Sequence, residues 1–138
     1  MTSFTYLFAT RFVWMGLIGL LSTTHGFAAD TSPDALLTQY QQAVAQKADR
    51  VRGQKFFTST HANELSCASC HGNPPVTPGK HASTGKTIAP LAPLVHAERF
   101  TDSAKVEKWF RRNCKDVLSR ECTALEKADV LFYLKDLK

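Results

Sequence analysis

Methionine is nearly absent from this 138-residue sequence: the two present are Met1 and Met15. Methionine as a metal ligand is therefore confined to the extreme N-terminal segment. Basic runs are missing too. Lysine and arginine never occur more than two together, and the formal net charge is only +5. Nucleic-acid binding is left without an electrostatic footprint. No apolar stretch reaches the ~20 residues that a membrane-spanning helix needs. Alternating apolar and polar residues, the mark of half-buried strands, form no run of useful length. Four cysteines are a thin framework for a disulfide-only miniprotein. With 43% hydrophobic and 21% charged residues, the chain is neither a disordered tail nor a polytopic membrane protein. It has room for one domain.

The first 28 residues stand apart. Arg11 is their one charge, Phe12 to Leu21 run apolar, and a polar stretch from Ser22 follows. Gly26 and Ala28 supply small residues at the −3 and −1 positions of a cleavage site. Residues 1–28 thus read as a Sec-type signal peptide, and residues 29–138 as the mature domain. That address is periplasmic, where spare thiols are oxidised.

The mature part reads as all-α, with three main helices and one long loop. From Asp34 to about Arg52, Leu36, Leu37, Tyr40, Val44 and Val51 recur on one face, and Gly53 interrupts the pattern. Between Gly72 and Pro93, five prolines and three glycines break any regular ladder. A loop so long inside a small domain wraps something or carries function. Asp102 or Ser103 caps a second helix to about Leu118, with Val106, Trp109, Phe110, Asn113 and Val117 inward. Thr123-Ala-Leu-Glu126 has the form of a capping box opening a third helix through Leu137. Three helices around so much irregular chain make a marginal core, one that benefits from an internal filler or a staple.

Cys67-Ala-Ser-Cys70-His71 supplies the filler. C-x-x-C-H in an exported chain is the attachment motif of a c-type haem. Two thiols three positions apart reach the two vinyl groups of one porphyrin, and the adjacent His71 presents its imidazole to the iron. A zinc site would need a second ligand pair at suitable spacing, and a thioredoxin-like pair would need a βαβ context. On the other side of the iron, electron-transfer cytochromes commonly use methionine, which the mature chain does not contain. His61, His81, His96, a lysine, Asn113 or no protein ligand remain as candidates. Asn113 follows Trp109 and Phe110 on an apolar helix face, where an unpartnered amide costs about 1–3 kcal/mol. Periodicity alone favours a core asparagine bonded to backbone.

Cys114 and Cys122 are the remaining thiols, and in an oxidising compartment they pair as a disulfide. Such a bridge joins the end of the second helix to the start of the third and braces Asn113. Gly79-Lys-His-Ala-Ser-Thr-Gly85-Lys86-Thr87 imitates a phosphate-binding loop. Its glycine spacing is one residue too long, and no strand precedes it. Lys80, His81, Thr84 and Lys86 are expected to meet haem propionates or solvent instead.

Gly53 with Phe57, then C-x-x-C-H, then an aromatic helix around Tyr133 resembles the class I cytochromes c. There the N- and C-terminal helices cross with a small residue against an aromatic one. A narrower resemblance lies in Cys67–Gly72, Gly79–His81, Thr84–Pro93, Arg99–Asp102 and Glu107–Cys114. These blocks are similar to those of the oxygen-binding monohaem cytochromes c called sphaeroides haem protein. The resemblance implies a class I cytochrome c-like helical fold wrapped around one covalent haem. It implies Asn113 as distal ligand beside the Cys114–Cys122 disulfide. It also implies release of that ligand on reduction, binding of O2, NO or CO, and a dihaem cytochrome c as electron donor. Oxidase or nitric oxide dioxygenase turnover is the chemistry it suggests. The alternative is a plain electron shuttle whose iron stays six-coordinate. A haem peroxidase is less well supported, because no acid–base pair sits on a helix beside the motif.

Overall fold

The computed structural model describes Met1 and residues 29–137. The expected leader, apart from Met1, lies outside the described residues. Five helices and one short hairpin make up the domain: α1 (Pro33–Val44), α2 (Arg50–Thr58), α3 (Cys67–His71), β1 (Gly79–Lys80), β2 (Thr87–Ile88), α4 (Ser103–Leu118) and α5 (Ala124–Lys135).

The single helix expected over 34–52 is two helices. Ser32 caps α1, accepting from the Ala35 amide, and Pro33 stands at its first turn. At the other end Ala45 turns left-handed, at φ 49°, and its amide donates to the Gln41 and Gln42 carbonyls. The chain restarts at Asp49, whose carboxylate caps α2 by accepting from the Arg52 amide. Val51, expected inside, is exposed as a result. Gly53 does not end a helix either; it lies within α2.

Gly53 is where α2 crosses α5. A β-carbon there would sit 1.9 Å from the Asp129 carbonyl oxygen, so only glycine permits this approach. One turn on, the Phe57 and Tyr133 rings pack at 5.5 Å between centroids, so the small residue of the expected crossing meets the α5 backbone and the aromatic Tyr133 meets Phe57. The buried Asp129 carboxylate accepts from the Asp49 amide at 2.8 Å and from the Arg52 guanidinium, with Nη2 at 2.7 Å. Buried polar groups are tolerated when satisfied in this way. Gly53→Ala is expected to lower holoprotein stability by about 1–3 kcal/mol, the usual cost of overpacking. Denaturant unfolding measures it, and an unchanged midpoint would remove the crossing from the list of what holds the fold.

α5 packs against both α1 and α2. Leu36, Leu37 and Tyr40 of α1 meet Val106, Ala128 and Leu131 in one cluster, and Phe57 meets Val130, Tyr133 and Leu134 in a second. Thr123 and Glu126 form the capping box anticipated for α5, which stops at Lys135 rather than Leu137. The long loop contains the antiparallel hairpin, Gly79 opposite Ile88. Two residues per strand are too few to leave a periodicity in sequence. Pro75 is fully buried, and its carbonyl accepts from the Leu91 and Ala92 amides, which closes the loop on itself.

Candidate haem site

A cleft of about 990 Å³ runs through the domain, with walls contributed by α2, α3, the hairpin, the segment from Leu91 to Asp102, α4 and α5. Cys67, Cys70, His71 and Asn113 all line it. Ser66 caps the single-turn α3 through a reciprocal box with Ser69. The short helix brings Cys67, Cys70 and His71 to one wall. Gly79 packs beneath it: a β-carbon at that position would lie 1.9 Å from the Cys70 carbonyl oxygen. The hairpin thus sits in backbone contact with the motif, and the Ala82 amide donates to Cys70 Sγ at 3.4 Å.

Both thiols are free and half-buried. Burial raises the Cys67 thiol to about 11, so it is neutral at pH 7. His71 is driven down to about 4, first by burial and second by the charge of Arg99. Its imidazole is therefore neutral, the form that ligates a metal. Its Nδ1 is buried without a hydrogen-bond partner. Two free thiols, a neutral imidazole and an apolar cleft including Phe57, Leu91, Phe100, Phe110 and Leu134 are the donor set and surroundings that a covalent haem requires.

α4 carries Asn113, half-buried, into the same cleft. Next to it, the Sγ atoms of Cys114 and Cys122 lie at bonding distance, 1.96 Å apart. Trp109 also lines the cleft but remains 44% exposed, at the mouth rather than inside; Arg112 stacks over its indole at 5.2 Å. The candidate histidines separate. His61 Nε2 is 2.8 Å from the Phe56 carbonyl and its ring stacks on Phe56, which engages it elsewhere. His81 is exposed in the hairpin turn beside Ser83. His96 is half-buried and lines the cleft. Of the hairpin residues expected near propionates, His81, Thr84 and Lys86 border the cleft, while Lys80 is exposed and does not line it.

Three residues to which the sequence alone gives no role help to shape the site. Arg99 Nε donates to the Pro90 carbonyl at 2.8 Å and Nη2 to that of Ala89 at 2.6 Å, bracing the loop along the cleft. Asn63 Nδ2 donates to the Asp116 carbonyl at 2.7 Å, and Ser119 Oγ donates to Asn63 Oδ1 at 3.1 Å. The segment entering the haem motif thereby clasps the C-terminal end of α4. Glu107 joins α4 to α1 and α5. None of the three carries a local pattern; only the fold brings their partners near.

The profile of a domain of unknown function, DUF1924, matches residues 43–134. The chain is 44% identical over 129 residues to the cytochrome c-type protein SHP of Cereibacter sphaeroides, covering 91% of this chain and 97% of that protein. It is 35% identical over 131 residues to cytochrome c'' of Methylophilus methylotrophus, covering 87% and 90%. The solved structure described as oxidized SHP, an oxygen binding cytochrome c, superposes with a TM-score of 0.74 at 46% identity, over 78% of this chain and 99% of that one. The helical arrangement is that of the class I-like cytochromes c.

Proposed function

The chain belongs to the family that includes the cytochrome c-type protein SHP and DUF1924, and on that footing we propose that it is a monohaem c-type cytochrome whose distal ligand, Asn113, leaves on reduction to admit a diatomic gas. Haem c is its cofactor, and when bound it would supply a redox-active iron. Cys67 and Cys70 would hold the porphyrin through thioether bonds, and His71 would hold the iron through its neutral imidazole. Asn113 would offer its amide oxygen to the same iron. Such a neutral, hard donor suits ferric iron better than ferrous, so Asn113 would be released on reduction and would leave the iron open to O2, NO or CO. The Cys114–Cys122 disulfide braces the residue next to it.

The observation that carries this reading is the convergence of Asn113 and the Cys67–His71 motif on one cleft in a chain with no methionine after Met15. The chain is taken to act in the periplasm after loss of residues 1–28. Its electron donor is a dihaem cytochrome c or a similar redox protein, steered by the exposed Lys105, Lys108, Arg111 and Arg112 on α4. Oxidase or nitric oxide dioxygenase turnover is the activity this arrangement serves.

His96, half-buried along the same cleft, favours a second reading, a simple electron-transfer cytochrome with permanent six-coordination. Visible spectra of the purified holoprotein in both redox states distinguish them. We expect a six-coordinate ferric form and a high-spin, five-coordinate ferrous form that takes up CO. A low-spin ferrous spectrum indifferent to CO would establish the shuttle instead.

A further inference from the structure

α4 must present Asn113 at a fixed height and rotation, because a ligand bond tolerates little misplacement. Glu107 is the side chain that ties this helix to the rest of the core. Its Oε1 accepts from the buried Tyr40 hydroxyl of α1 at 2.6 Å, and its Oε2 accepts from Lys127 Nζ of α5 at 2.7 Å. Lys127 is itself enclosed, with its ammonium 5.5 Å from the Tyr40 ring centroid and 5.8 Å from that of Phe110. Glu107, Phe110 and Asn113 follow one another at three-residue steps, so neighbours in this series adjoin on the helix surface. Lys127 touches the first two. Downstream of Asn113, α4 is secured by the Asn63 clasp and by Cys114 bonded to Cys122. Upstream, the nearest charged tie to another helix is Glu107.

We propose that Glu107 is a positioning residue for Asn113, fixing the rotation of α4 through Tyr40 and Lys127 so that the amide meets the iron. The proposal rests on Asn113 being the distal ligand. A two-point carboxylate anchor resists twisting of α4 in a way that apolar packing alone does not, since hydrogen bonds are directional. With the anchor gone, Asn113 remains on the helix but leaves the iron more readily.

The test uses ferric holoprotein mixed with saturating imidazole, where the limiting rate of ligand entry reports the departure of Asn113. Glu107→Ala should raise that rate by about tenfold, which is about 1.4 kcal/mol at 298 K. Tyr40→Phe, which loses one of the two hydrogen bonds, should give an intermediate increase. Glu107→Gln, which keeps an acceptor of the same shape, should fall back toward wild type. Asp34→Asn, which breaks an exposed pair with Lys135, should leave the rate unchanged. Combined with Asn113→Ala, Glu107→Ala should add nothing, because the group it positions has gone.

A lower unfolding midpoint with an unaltered limiting rate in Glu107→Ala and Tyr40→Phe would overturn the proposal and leave Glu107 a structural residue only. An equal acceleration by Glu107→Ala with and without Asn113 would overturn it while leaving Asn113 as ligand. If Asn113→Ala leaves the ferric spectrum unchanged, both readings fall together. Should Glu107→Ala not accumulate as folded holoprotein, Tyr40→Phe decides alone.

Discussion

Cys67→Ala combined with Cys70→Ala should abolish covalent haem attachment altogether, and with it the cooperative unfolding of the domain. The first effect follows from chemistry. Thioether bonds need both sulfurs, and Cys114 and Cys122 are engaged with each other. The second follows from packing. The clusters around Phe57, Leu36 and Cys114 border a cleft of about 990 Å³, and a domain of this size has little apolar surplus to offset an unfilled interior. Acid–acetone extraction followed by mass spectrometry measures the first, and thermal unfolding followed by circular dichroism the second. Haem that survives extraction in the double variant would place the attachment elsewhere. A sharp wild-type-like transition would mean that the polypeptide closes the cleft unaided.

Asn113→Ala is expected to have the next largest effect, confined to the iron. Asn113 is half-buried on α4, and alanine is the better helix former, so stability should move by no more than about 1 kcal/mol. Covalent haem should be retained. Ferric iron, without its amide, should bind imidazole or azide at least about tenfold faster, since each tenfold requires only about 1.4 kcal/mol. Ferrous CO binding should change much less if, as proposed, Asn113 leaves on reduction. Stopped-flow mixing on both redox states separates the two. Equal acceleration in ferric and ferrous protein would mean that Asn113 obstructs the entry route without ligating. No change in either would transfer the ligand role to His96.

Much of this architecture was legible because it is written in local patterns. The capping box at Thr123 and the cap at Asp102 are short-range devices, and the helices they predict are present. The division of the first helix was not legible. Ala45, Gln46, Lys47 and Ala48 are acceptable helix residues, with no proline or glycine among them. Tertiary contacts override that propensity: the Asp49 amide is drawn to Asp129, and the Ala48 amide to the Gln41 side chain at 2.8 Å. Periodicity places Trp109 in the interior, yet it stands at the cleft mouth. Helical phase identifies a face but not the depth to which a neighbour covers it. His61 looked as available as His96 in sequence, and only the Phe56 carbonyl separates them. Periodicity alone favours Asn113 as a core amide and the family resemblance makes it a ligand; the fold places it along the cleft lined by Cys67 and His71.

The crossing of α2 and α5 brings together residues as far apart as Arg52 and Asp129, 77 positions along the chain. Closing a flexible loop of that length costs about 4 kcal/mol from its length dependence alone. The Cys114–Cys122 bridge spans only eight positions and relieves little of it. A covalently held porphyrin attached within α3, between the two ends, would divide that search into two shorter ones, since Phe57 on one side and Val130 and Leu134 on the other all border its cleft. Attachment would then hasten the meeting of the terminal helices as well as fill the space between them, and the apoprotein would be slow to find its native topology.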